Sequence, residues 1–450
     1  MPALQAPSPL LSKGEPVDWF FAFKFNSDTF PGGTVNGKEP KLSDPEKGVV
    51  GDPGIFGGTF QGYKIVKNSL GNQMTDLTGE PLTAKIRHGQ QYAVASSKNG
   101  KLTKNNNECI GTTTKDPLGA TFAQVYDSND YNYLIWNDQF YGDPDDGMGK
   151  PGVGRNGKKV WVNRDIPWGH SKGMLAWNDS GDGFVLQVST PSWPASGSHL
   201  HPRKTDGNTL GCVTDDDVEV SQHFFCLKIN AADLEIILTA LNNASVVTAP
   251  KDIQIVRKGG PANIQALVSQ LGTLSSSKEL TIATLSSGVK IISKPSLLNC
   301  PPWQLVSAKL DALPLRVASW WGAPEIYSTN SETEIKCWPS EGIGKPGPVE
   351  IALSGTWDNQ SIGLRGEPTT TGNHAKIGVS TEKTKAYSIF GDMNQMGALS
   401  EIEDPLHNNE LSCNIHQNGR GGLFYVVDNK DLFESITSLL HGLTASLEDK

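Results

Sequence analysis

The chain has 450 residues, 37% of them hydrophobic and 19% charged, which is enough apolar material for two or three domain-sized cores. Its 48 glycines and 28 prolines exclude a helical bundle and predict short strands punctuated by loops. A net charge of −9 excludes a protein that coats nucleic acid with a basic surface, but it leaves room for a local basic cleft, more so if the nine histidines charge at acid pH.

The first residues, MPALQAPSPLLSKGEP, lack the basic region and apolar run of a secretory leader. Location stays open between export to an acidic compartment, periplasmic, secreted or lysosome-like, with the leader removed, and no export by that route. No apolar run reaches the length of a membrane span, so membrane insertion is not expected. Residues 1–13 read as a flexible N-terminus. GDPGIFGG at 51–58 lacks the Lys-Ser/Thr of a nucleotide loop and reads as a turn. The six cysteines (109, 212, 226, 300, 337 and 413) show no C-x-x-C spacing, which leaves disulfides and independent buried thiols as equal alternatives.

From position 170, HSKGMLAW, the turn NDSGDG and FVLQVS predict a strand hairpin. From Gln222, QHFFCLKI predicts a strand, Asn230 a cap, and the following residues a helix with Leu234, Ile237, Leu238 and Leu241 on one stripe. The stretch around 245–290 reads as a connection with one short helix. The pattern then returns. HAKIGVS, TEKTK and AYSIFG predict a second hairpin, and GLFYVVDNKDLFESITSLL a second strand, cap and helix with Leu432, Ile436, Leu439 and Leu440 facing inward. Corresponding landmarks lie roughly 200 residues apart, the spacing of a duplicated domain rather than a solenoid repeat. The expected architecture is α/β, with mixed sheets flanked by helices in an N-terminal domain (14–248) and a C-terminal domain (249–450).

Each hairpin opens on His-x-Lys: His170/Lys172 and His374/Lys376. On a strand, residues two apart share a face, so each pair offers an imidazole for nucleophilic or proton-transfer work and an ammonium for phosphate oxygens. One such pair arises readily by chance; recurrence at equivalent positions of two repeats points to one shared phosphate site. Acidic turns at 143–147 and 215–217 lack a calcium-loop spacing, and His199-Leu-His201 lacks further zinc ligands, so no metal is expected. Trp320-Trp321 can stack on bases but reads more simply as core. Arg420 can approach phosphate, with surface solvation an equal alternative.

The tandem His-x-Lys, together with PVDWFFAFKF (16–25), YLIWNDQ (133–139), VSTPSWP (188–194), QHFFCL (222–227), FGDMN (390–394) and RGGLF (420–424), resembles the phospholipase D superfamily and more closely the deoxyribonuclease II family. The resemblance implies a phospholipase D-like pseudodimer with the active site where its two α/β domains meet. It implies metal-independent, acid-active endonucleolytic cleavage of double-stranded DNA through a phosphohistidine, leaving 3′-phosphate and 5′-hydroxyl ends, with no cofactor. His170, Lys172, His374 and Lys376 would be catalytic, and Asn394, with Ser192 in the matching slot of the first repeat, would bind substrate. The superfamily's Asp five residues beyond each Lys is replaced by Trp177 and Thr381, with Asp179 and Glu382 out of step, so the carboxylate partners of the histidines are unassigned. The alternatives are a related enzyme acting on phospholipid or RNA and an inactive pseudodimer that binds nucleic acid. One chain carries both motifs, so catalysis needs no second subunit; a homodimer clamping duplex DNA is compatible with this.

Overall fold

A computed structural model describes residues 5–26, 29, 91–105, 110–111, 114–141, 165–201 (save 192 and 195), 220–404 (save 340–341, 368, 370 and 383) and 410–447, with short strand segments at 50–53, 59–61, 64–65, 83–84 and 161–163. Two large sheets dominate it. Their strands are numbered here in chain order. The first sheet contains β1 (Trp19–Lys24), β2 (Tyr92–Ser96), β3 (Asn99–Asn105), β4 (Asn132–Asn137), β5 (Lys172–Trp177), β6 (Gly183–Val188), β7 (Gln222–Ile229) and β8 (Val256–Arg257). The second contains β9 (Thr281–Thr284), β10 (Lys290–Lys294), β11 (Leu315–Ala318), β12 (Val349–Ile351), β13 (Ile377–Ser380), β14 (Tyr387–Gly391) and β15 (Gly422–Asp428).

The spatial orders are β8-β4-β5-β6-β7-β1-β2-β3 and β9-β10-β15-β14-β13-β11-β12. The first sheet is antiparallel throughout, whereas the second is mixed through one parallel pair, β11 with β12. Both predicted hairpins form, β5/β6 and β13/β14, because each apolar run is broken by a short polar turn. The Ser-rich connection supplies more than a linker: its apolar Thr281–Thr284 pairs with β10 as an edge strand. Within the segment expected to be flexible, Leu10 is buried and its N–H donates to Thr121 Oγ1 on helix α1 (Pro117–Tyr126) at 2.9 Å.

Helices α2 (Ala231–Asn243) and α3 (Lys430–Leu439) follow β7 and β15, as the caps predict. Asn230 forms a capping box with Asp233, and Asn429 accepts from the Leu432 N–H. The predicted leucine and isoleucine stripes are buried on both. Each helix also reaches the other sheet. Ser293 on β10 donates to Ala240 O of α2 at 2.8 Å, and the Leu102 N–H on β3 donates to Ser435 Oγ of α3 at 3.2 Å.

Strands β4, β5 and β6 are buried at every position, the pattern of a sheet covered on both faces. Aromatic rings fill the space between the sheets. Phe390 of β14 stacks on Phe21 of β1 at 4.4 Å and packs against Phe225 of β7 at 4.9 Å, while Phe225 meets Tyr425 of β15 at 5.7 Å. Removing the Phe390 ring would leave a cavity between surfaces that cannot collapse independently. Phe390→Ala is therefore expected to cost roughly 3–5 kcal/mol in equilibrium urea unfolding.

Candidate active site

His170 and His374 lie in the segments leading into β5 and β13, two and three residues ahead of the strands on which the motif spacing predicts them. Their backbones are anchored reciprocally. The His170 N–H donates to Gly421 O ahead of β15, and the His374 N–H donates to Ser221 O ahead of β7, each at 2.8 Å. Each histidine is thus held by the lead-in to a strand of the opposite sheet. Two glycines allow the close approach on one side: a Cβ on Gly169 or Gly421 would stand 2.5 or 2.1 Å from the Ala244 carbonyl oxygen. Two buried lysines brace the same lead-ins, Lys24 donating to Val220 O at 2.6 Å and Lys294 to Asn418 O and Arg420 O at 2.7 Å. Burial lowers the Lys294 ammonium to about 8.

The ring of His170 donates from Nδ1 to the Asp392 carbonyl oxygen, which leaves Nε2 as the ring's lone pair. His374 Nδ1 lies 3.3 Å from Gln222 Oε1 and 3.2 Å from Lys376 Nζ, and its ring meets the edge of Trp320 at 5.2 Å between centroids. The histidines are 5% and 7% exposed, and Lys172 and Lys376 are fully buried.

Asp392 joins the two motifs. Its carboxylate lies 3.0 Å from Lys172 Nζ and 3.5 Å from Lys376 Nζ, and 3.7 Å from His170 Nδ1. Asp138, at the end of β4, binds Lys172 at 2.7 Å and Arg420 at 2.9 Å and lies 4.0 Å from His170 Nε2. Arg420 also donates to the Trp168 and Gly169 carbonyls, so it is buried rather than solvated. These are the carboxylates that the local motif spacing does not supply. Trp177 is buried with its indole N–H on Gly259 O, and Asp179, Thr381 and Glu382 are exposed. Asp138 and Asp392 lie in YLIWNDQ and FGDMN, segments that carry the family resemblance, but their convergence is tertiary.

Asn394, two residues after Asp392, is buried, its N–H donating to Gln417 Oε1 at 3.2 Å and its Oδ1 without a partner among the described residues. Ser192 lies outside the described residues, as do the acidic turns at 143–147 and 215–217 and most of the glycine-rich 51–58 segment. His199 Nδ1 pairs with Tyr126 O at 2.7 Å, and His201 is exposed. Trp321 is core, as expected, but Trp320 is half-buried beside His374. Cys337 and Cys413 form a disulfide, while Cys226 and Cys300 are buried thiols; Cys109 and Cys212 lie outside the described residues.

Asp138, His170 and Asp392 converge closely enough to offer three metal-ligand atoms. Lys172 already bridges both carboxylates and Arg420 covers Asp138, so a dication there would have to displace a buried ammonium. The donor set suits an anion better than a metal. Asp138→Ala, which strips a counter-charge from Lys172 and Arg420 together, is expected to cost about 3–5 kcal/mol in denaturant unfolding at neutral pH.

Burial, then Lys172, Arg420 and Lys376, holds the His170 imidazole well below its ordinary value. Burial, then Lys376, Lys172 and His170, does the same to His374, and burial with Lys376 does so to His223, which bridges the Lys376 N–H and Gln187 Oε1. Burial raises Asp392 to about 6 against the pull of Lys172 and Lys376. Burial also opposes charge on Asp138, but Lys172 and Arg420 outweigh it and hold that carboxyl low. An imidazole with a depressed folded pKa takes its proton first in the unfolded chain, so stability falls as pH drops below the unfolded value near ~6.5. Asp392 acts oppositely, adding stability as pH falls through about 6, but the three imidazoles held well below their ordinary value outnumber it. The ligand-free protein is therefore expected to lose thermal stability between pH 7 and 5, with three histidine C2–H resonances failing to titrate across that window.

The family description "Deoxyribonuclease II" matches residues 78–401, most of the chain. Deoxyribonuclease-2-beta of Mus musculus is 32% identical over 134 residues, 28% of this chain and 31% of that relative, so the match spans about a third of the relative's length. Two large sheets with flanking helices, and a match across most of the sequence, make this chain a member of the deoxyribonuclease II family.

Proposed function

We propose that the protein is a deoxyribonuclease that hydrolyses the phosphodiester backbone of double-stranded DNA at the site shared by His170, Lys172, His374 and Lys376. The observation that carries this reading is Asp392, whose one carboxylate contacts both lysines and so ties the two His-x-Lys motifs into one cluster. Family membership and the name of the mouse relative support the substrate class. The similar strand orders and reciprocal histidine anchors support a pseudodimer with the site at the join, its first half running past the expected boundary at 248, because β8 (Val256–Arg257) pairs with β4.

In the proposed reaction one neutral imidazole attacks phosphorus through Nε2 while the other protonates the departing 5′ oxygen. A phosphohistidine forms, and the second imidazole then takes a proton from water, whose oxygen releases the 3′-phosphate. Lys172 and Lys376 neutralise the non-bridging oxygens as charge gathers on them, the role a metal plays elsewhere. Asn394 contributes to substrate binding.

Acid activity follows from charge balance rather than from ordinary imidazole titration, because both histidines are held neutral by burial and neighbouring cations. With every group ionised, Lys172, Lys376 and Arg420 exceed Asp138 and Asp392 by one positive charge. As pH falls through about 6, Asp392 takes a proton and the excess rises, drawing in the phosphodiester anion. The bound anion in turn favours protonation of the imidazole that must act as acid.

Plasmid digestion at pH about 5 in EDTA tests the reading. The parent protein is expected to nick and linearise DNA, and His170→Ala and His374→Ala each to lower the rate by at least ~10²-fold. Full activity in either variant would remove the shared site, and a requirement for Mg²⁺ would remove the metal-free mechanism.

A further inference from the structure

Gln222, the first residue of β7, is fully buried beside His374, and its side-chain Nε2 has no hydrogen-bond partner among the described residues. A buried amide donor left unmatched costs stability, and a native fold tolerates it chiefly where a ligand completes the bonding.

The orientation of this amide is fixed by its neighbours. The Ser189 hydroxyl accepts from the His223 N–H at 2.9 Å, so its own hydrogen is free to donate, and it donates to Gln222 Oε1 at 2.5 Å. The other lone pair of Oε1 faces His374 Nδ1 at 3.3 Å. With the His374 ring proton on Nδ1, both acceptor positions are used, and Lys376 directs its protons to His374 O and Asp392. The oxygen is pinned, and two N–H donors remain on Nε2 in a site whose ammonium groups, Lys172 and Lys376, already favour an anion.

We propose that Gln222 is a phosphate-binding residue, whose amide donates to one non-bridging oxygen of the scissile phosphodiester while its carbonyl oxygen holds the His374 ring with Nε2 turned to the reacting phosphorus. This inference rests on phosphodiester hydrolysis at the His-x-Lys site and adds to it a donor that senses which face of the phosphate it meets. Each lysine is a point charge with three equivalent protons, whereas a pinned amide distinguishes the pro-R from the pro-S oxygen.

The test uses a duplex oligonucleotide carrying a single stereodefined phosphorothioate, Rp or Sp, at a preferred cleavage position. The parent protein is expected to cleave one diastereomer far more slowly than the other, because sulfur is a poor acceptor for the amide. In Gln222→Met, kcat/KM on the all-oxygen substrate is expected to fall by about 10²-fold, and the difference between diastereomers to collapse. A residue that merely supports the fold would slow both diastereomers alike and leave their ratio intact. That result in a variant with the parent's thermal stability would overturn the inference. Should Gln222→Met fail to fold, Gln222→Glu keeps the length and removes both N–H donors, and the same collapse is expected. A parent protein that cuts no DNA would instead remove the underlying reading, whereas an active parent with an unchanged ratio in either variant removes only the role of Gln222.

Discussion

The interaction on which the rest of the structure depends is the buried charge cluster of Lys172, Lys376, Arg420, Asp138 and Asp392. Burying ions is costly, and the cost is recovered only when partners are close and well oriented. Asp138 comes from β4, Lys172 from β5 and Asp392 from the end of β14, so the cluster closes only when both sheets are in place. The same geometry that stabilises the join assembles the site. Its positive excess is what a phosphodiester monoanion would balance.

That constraint explains the severity of the surrounding packing. Aromatic rings from both sheets lock the approach of β14 to β1 and β7, and the helices reach across to the opposite sheet, so neither histidine can shift without moving a strand. His223 adds a polar lock beneath the site, taking the Lys376 N–H and passing to Gln187, whose amide donates to Gly391 O at 2.9 Å. A neutral imidazole suits this position because it must accept and donate at once.

The sequence disclosed what repeats locally. Both strand-cap-helix units and both hairpins are written in apolar periodicity and in Asn230 and Asn429, and the His-x-Lys pairs stand out by recurrence. The groups that complete the site were hidden because nothing local marks them. Asp138 and Asp392 follow apolar strands with no local motif to single them out, Arg420 reads equally as a phosphate contact or a solvated charge, Trp320 as half of a core Trp pair, and Gln222 as the start of a strand. Their roles arise from tertiary contacts, several of them between residues more than 100 positions apart, such as Asp392 with Lys172 and Gln222 with His374. The edge strand Thr281–Thr284 was masked by its serine-rich surroundings.

The central claim is that residues from the two halves of the chain form one phosphate site. A crystal structure of the protein soaked with vanadate or tungstate tests it most directly. The account predicts a single oxyanion bound between the imidazoles, with the metal atom bonded to Nε2 of His170 or His374 and its oxygens within hydrogen-bonding reach of Lys172 and Lys376. Anions bound separately at the two motifs, or none touching either histidine, would contradict it.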